Sequence, residues 1–190
     1  MRKIGLLFFW FVSPVAYAQA CQGLVNCSFE TPALIGYQYN PTAAGIGWTF
    51  SSSSGIQRNG STWGAAKAPD GVQTAFVQGT GTLSQAISLG AGTYTLSFQA
   101  AGRYGGCCTR PNIQPIKIAV NGTQVGSLIT PPDTSFGSYS VIFTAPTSGT
   151  YTITFSGTVS VDKTTFIDAV SLSGGGRRRL RPRRPRLRVR

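Results

Sequence analysis

Between Leu24 and Ser173, apolar and polar residues alternate with a period of two in short runs, separated by clusters of Gly, Pro, Asn and Ser. Such alternation predicts strands with one dry and one wet face, and no run carries a helical stripe of period 3.6. Tyr94, Leu96 and Phe98 alternate with Thr93, Thr95 and Ser97, and Tyr151, Ile153 and Phe155 alternate with Thr150, Thr152 and Thr154. Ile116, Ile118 and Val120 lead into Asn121-Gly122 and then residues 123–129, the strongest hairpin signal in the chain. Tyr139, Val141 and Phe143 predict a strand ahead of Pro146, and residues 48–51, 73–78, 82–89 and 164–172 predict others. Serine or threonine on one face of each strand and apolar residues on the other suit two antiparallel sheets packed face to face. The expected fold is therefore all-β, an antiparallel sandwich of eight or nine strands. About 150 residues suffice for one such domain, which would bury roughly 70% of its unfolded surface.

Composition sharpens the picture at the two ends. Of 190 residues, 17 are Lys or Arg and 5 are Asp or Glu, a formal net charge of +12. Nine arginines lie between Arg177 and Arg190, and Arg2 and Lys3 add two more positive charges, so the segment between is nearly neutral. Arg2 and Lys3, an apolar run from Ile4 to Val12, Pro14 and the small residues Ala16, Ala18 and Ala20 predict a secretory signal peptide over residues 1–20. Its apolar run is too short to span a bilayer, so no transmembrane segment is expected in the mature chain. Residues 21–173 form the domain, and residues 174–190 an Arg/Pro-rich tail that cannot fold alone because its charges repel and it buries little. The expected location is outside the cell or on its surface. There the tail would attract anionic polymers. It has no aromatic residue on which bases could stack, and nucleic acid is an improbable partner for an exported chain. A frame-shifted end that replaced a sorting signal accounts for the same tail equally well.

Export also permits disulfides. The four cysteines allow three pairings; Cys21 and Cys27 are near enough in sequence to tie the N-terminal segment down, while Cys107 and Cys108 are adjacent. If the signal is cut after Ala20, Cys21 heads the mature chain, although Ala18 and Gln19 depart from the pattern that lipid attachment prefers. No C-x-x-C spacing is present. With no histidine in the chain, Ser-His-Asp and Cys-His nucleophilic machinery and His-ligated metals are excluded.

Five carboxylates can be weighed one by one. Strand alternation puts Asp168 on the same face as Phe166, Val170 and Leu172, where an ionised group is costly unless a cation or several donors meet it. Glu30 follows Phe29 directly after an expected first strand, residues 24–28. If the first and last strands lie together, Glu30 and Asp168 converge and can share one hard cation, with backbone carbonyls completing the shell. Calcium, which takes about six to eight oxygens, fits better than magnesium. The other reading has Asp168 capping a turn or pairing with Lys163 or an arginine. Asp70 sits in a Pro69-Asp70-Gly71 turn, Asp133 follows Pro131-Pro132, and Asp162 adjoins Lys163. No facing pair is left over for a glycosidase, which needs two carboxylates about 5–9.5 Å apart.

Four segments in this order, Leu24-Val25-Asn26-Cys27-Ser28-Phe29-Glu30, Gly47-Trp48-Thr49-Phe50, Gly92 to Phe98 and Phe166 to Leu172, resemble the galactose-binding-like jelly rolls. The set is most similar to bacterial exported surface proteins of the PEP-CTERM type and, more distantly, to carbohydrate-binding modules. The resemblance implies a jelly-roll sandwich, a structural calcium held by Glu30 and Asp168, and binding of a polysaccharide or glycan without catalysis. Cys27 departs from the glycine common there, and no Pro-Glu-Pro segment with a hydrophobic anchor follows Leu172.

A sugar site needs an aromatic platform and fixed polar groups. Trp63, in a stretch rich in Gly and polar residues, and the loop carrying Arg103, Tyr104, Asn112 and Gln114 are the candidate ligand residues; Tyr37 and Tyr39 offer the same chemistry. A structural surface protein without a small ligand, its tail binding polyanions, is the alternative.

Overall fold

Where alternation is strict, the chain forms long strands, and the computed structural model, which describes residues 21–104 and 112–175, pairs eleven of them into two antiparallel sheets. The signal peptide, Cys107 and Cys108, and the arginines of the tail lie outside the described residues. The larger sheet runs β1 (Tyr37–Tyr39), β3 (Ser54–Arg58), β4 (Gln73–Gln78), β11 (Thr164–Gly174), β6 (Gly92–Gly102), β9 (Gly137–Ala145). The smaller runs β2 (Thr49–Phe50), β5 (Thr82–Leu89), β10 (Gly149–Gly157), β7 (Ile116–Val120), β8 (Thr123–Gln124). The result is an antiparallel β-sandwich of the jelly-roll class. Three of the elements, β1, β2 and β8, are two or three residues long and close sheet edges.

Leu96, Phe98, Ile118, Ile153, Phe155 and Ile167 fill the space between the sheets, each almost fully buried. Phe155 holds the centre, its ring 5.0 Å from Phe98 and 6.1 Å from Trp48. On β5, β6, β9 and β10 the opposite face is wet, and burial alternates as the sequence does. On β3, β4 and β11 both faces are covered. There a second cluster of Trp63, Phe76 and Phe166 lies outside the larger sheet, with Tyr39 and Phe136 packed against it.

Two expectations are corrected. Residues 24–28 form turns rather than a first strand, stapled by the Cys21–Cys27 disulfide. Their apolar side chains still insert: Leu24, Cys27 and Phe29 join the core, because backbone groups that lack a ladder find side-chain amides instead. Gln85 plays that part for Val25, accepting from its N–H at 2.7 Å and donating to its carbonyl at 2.9 Å. The second correction concerns β11. Its register against β6 shifts between Asp168 and Ser171, and Ala169 takes a φ of 49°. This bulge turns the strand over, so Asp168 shares the outer face with Phe166, whereas Val170 and Leu172 point into the main core.

Truncating Phe155 to alanine is expected to lower unfolding free energy by about 3–5 kcal/mol, since it leaves a cavity between sheets that cannot collapse. Urea denaturation of the two proteins measures the difference.

Candidate functional site

The two carboxylates singled out in the sequence are brought to one turn, though by a different route from adjacent strands. Residues 69–73 connect into β4, and their amides reach both acids. Asp70 N–H donates to Asp168 Oδ2 at 2.9 Å, and Val72 and Gln73 N–H both donate to Glu30 Oε1 at 2.8 Å. Gly71, at φ 74°, is the residue the turn requires: a β-carbon there would come within 3.0 Å of Glu30 Cγ and closer still to its carboxyl group. Gln73, fully buried, ties the segment bearing Glu30 to β4 by donating to Phe29 O at 2.7 Å and Pro32 O at 2.9 Å and accepting from Leu34 N–H at 2.6 Å. Asn26 does the same for the preceding turn, exchanging hydrogen bonds with Thr31. Neither amide stood out in the sequence, because glutamine and asparagine read as surface or loop residues there.

Asp168 is wholly buried, and its Oδ1 has no hydrogen-bond partner among the described residues. Burial pushes its carboxyl up to about 8; the amides of Asp70 and Ala169 pull it back, and the charges of Asp70 and Glu30 push it further up. Phe29 and Ala169, both at positive φ, flank the acids at the two sides of the site. A buried, unpaired carboxylate oxygen beside a second carboxylate is a donor set that suits a hard cation. Among the described residues no three His, Cys, Asp or Glu side chains cluster to hold one.

The five candidate ligand residues divide. Trp63 is buried, 8% exposed, and offers no open face. Tyr37 stacks on it at 5.3 Å, Tyr39 and Phe76 meet it at an angle, and the Arg103 guanidinium lies 4.1 Å from the ring centroid. The glycine-rich stretch around it folds down over the sheet instead of projecting, which composition did not reveal. Gln114 is buried as well, its amide donating to the carbonyls of Gly79 and Val159, so it braces the loop rather than facing a ligand. Arg103 also pairs with Asp162 at 3.4 Å, and Asn112 bonds the Asp162 carbonyl through its side chain. Tyr39 donates to Gln78 Oε1, and burial raises its pKa despite the opposing pull of Arg103, so the phenol keeps its proton. What remains open to solvent is Tyr104, 65% exposed, and Tyr37, 47% exposed. The structure thus brings Trp63, Arg103 and Asn112 into one network with Tyr37, while Gln114 lies beneath it.

Kept free of metal by a chelator, the domain is expected to lose stability as pH rises from about 4 towards 8. The unfolded chain releases the Asp168 proton in the ordinary carboxylate range, whereas the folded chain holds it up to about 8. Urea unfolding at successive pH values measures this, and Asp168→Asn is expected to flatten the slope across that window.

No family model matches the sequence, and no curated protein matches it. Solved structures do share the fold. A cyclase from Fischerella sp. TAU, in complex with 4-(1H-indol-3-yl)butan-2-one, is 21% identical at a TM-score of 0.58, covering 78% of this chain and 94% of its own. The module TmCBM61, in complex with beta-1,4-galactotriose, is 19% identical at 0.53, over 80% and 97%. The CBM22-1 xylan-binding domain of Paenibacillus barcinonensis Xyn10C is 13% identical at 0.51, over 73% and 91%. At these identities the likeness establishes a common jelly-roll sandwich, a scaffold that carries both binding modules and a cyclase.

Proposed function

We propose that the chain is an exported, non-catalytic carbohydrate-binding protein with a structural calcium ion at Glu30 and Asp168. The observation that carries the reading is the layered stack of Tyr37 on Trp63 on Arg103, its outer ring open to solvent. A sugar ring presents an apolar face of C–H groups, and a tyrosine already immobilised by stacking loses little freedom when it receives one. Tyr104 and the free side of Asn112 lie beside the network to meet hydroxyls. The scaffold shared with a galactotriose-bound module and a xylan-binding domain supports the same reading. So does the resemblance to exported surface proteins, which fits residues 1–20 as a signal peptide. No helix long and apolar enough to cross a membrane occurs among the described residues.

Hydrolysis is disfavoured on geometry. Asp168 is sealed from solvent and Asp162 is engaged by Arg103, so neither is poised against a glycosidic bond. Calcium at the buried pair would neutralise the charge that makes ionised Asp168 costly, with Oδ1 and the Glu30 carboxylate as its side-chain ligands and carbonyl oxygens for the remainder. The arginine tail is assigned, on charge alone, to anionic cell-surface polymers.

A glycan array is expected to retain the protein on neutral polysaccharides, and Tyr37→Ala to weaken that binding about tenfold by removing one stacking face, an effect of ~1–1.5 kcal/mol. Retention on no glycan, with or without calcium, would leave only the structural-protein reading. Calcium at a hundred times its Kd is expected to stabilise the domain by about 2.7 kcal/mol in urea unfolding at pH 7. Asp168→Asn is expected to abolish that gain; an equal gain in the variant would refute the assignment.

A further inference from the structure

The outer face of the larger sheet is covered over β3, β4 and β11 but open over β6 and β9. At the step between them lies a groove of about 420 Å³, lined by Ser97, Gln99, Ser138, Ser140 and Ala169. Its size falls in the range of small-molecule sites, roughly 300–1,000 Å³. Ser97 stands opposite Ser140 and Gln99 opposite Ser138 across β6 and β9. The β11 bulge forms the adjoining wall, because Asp168 is the register partner of Gln99 and Ala169 lines the groove itself.

Gln99 departs from a pattern. Among the described residues, every other buried or half-buried glutamine (Gln57, Gln73, Gln78, Gln85, Gln114) makes a side-chain hydrogen bond to the protein. Gln99 has no side-chain partner among the described residues, nor do the hydroxyls of Ser97, Ser138 and Ser140. The wall beside them is held by a non-glycine residue at φ 49°, an uncommon conformation that recurs where a binding surface must be re-aimed. Two residues along β9 from Ser140, on the same outward face, Ile142 is 65% exposed amid serine and threonine.

We propose that this groove is a second sugar subsite, separate from the Tyr37 surface, that takes one uncharged ring of an oligosaccharide by its hydroxyl edge; it rests on the carbohydrate-binding reading. Hydroxyl and amide groups each donate and accept, which matches the vicinal hydroxyls of a sugar, and the lining bears no charge to favour an acidic one. Ile142, exposed on the same face two residues along β9 from Ser140, offers the ring's C–H groups an apolar contact beyond the groove's lining.

The test titrates the ¹⁵N-labelled full chain with galactotriose, xylotriose, cellotriose and mannotriose in turn, reading the Gln99 side-chain amide and the backbone amides of Ser97 and Ser140. At least one trisaccharide is expected to shift these signals saturably. Gln99→Ala is expected to weaken that binding about 5–10-fold, the loss of one or two neutral hydrogen bonds. Ser140→Trp is expected to fill the groove and remove its shifts while those around Tyr37 persist. Gln99→Ala only shortens a half-buried side chain and keeps the test decisive should Ser140→Trp misfold. Saturable shifts confined to Tyr37 and Tyr104, or affinity unchanged in Gln99→Ala, overturn the groove and leave the carbohydrate reading standing. No shift anywhere with any of the four sugars overturns both.

Discussion

The burial of one carboxylate governs the architecture around it. Removing an acid from water is costly unless donors or a cation replace the lost hydration. Asp168, fully buried on β11, receives the Asp70 N–H on one oxygen and nothing from the described residues on the other. Three local features converge on that group: the bulge at Ala169, the turn through Gly71, and the N-terminal segment that brings Glu30 to the same turn. The Val170 N–H, freed by the register shift, is taken by the Cys27 carbonyl at 3.0 Å, so the bulge also anchors the disulfide-closed turns. Disturbing the acid therefore disturbs the join between the last strand and the beginning of the domain.

The bulge also decides which side chains of the last strand enter which apolar layer. Ahead of it, Phe166 packs outward against Phe76 and Trp63; beyond it, Val170 and Leu172 point inward. A straight strand could not do both with this sequence, since a slip of one residue exchanges the two faces. The sequence pattern is misleading here for that physical reason: period-two counting assumes an unbroken pleat, and an alanine gives no warning of a left-handed backbone. Nor does the pattern reveal β3, Ser54–Arg58, whose polar residues are buried because a loop covers the face that would otherwise be wet.

By contrast, β5, β6, β9 and β10 were legible throughout, because each keeps one face in water and its alternation is a record of that. That Glu30 and Asp168 reach one turn was legible in outcome but not in means. Two acids at opposite ends of a chain point to convergence; which amides escort them depends on a turn that only three dimensions supply. Trp63 shows the converse limit. Its glycine-rich neighbours suggest exposure, yet glycines also let a loop lie flat, and the indole ends beneath Tyr37 with Arg103 over its ring. Exposure passed to Tyr37, which stacks on the buried ring behind it.

Among the described residues, Asp168 is the one acid or base that is fully buried, whereas Gln57, Gln73, Gln85 and Gln114 are buried amides. That division has a physical logic. An amide both donates and accepts, so a single glutamine can stand in for a ladder position and stitch a turn to a strand without introducing charge. Ion pairs in the same places would each require desolvating two charges. Building the joints from amides leaves the described interior electrostatically quiet except at Asp168, so a change in pH acts on it chiefly at that site. The same economy makes Gln99 informative: among the described residues the other buried or half-buried glutamines are all engaged, and its half-buried amide differs in keeping its donors and acceptor open to solvent.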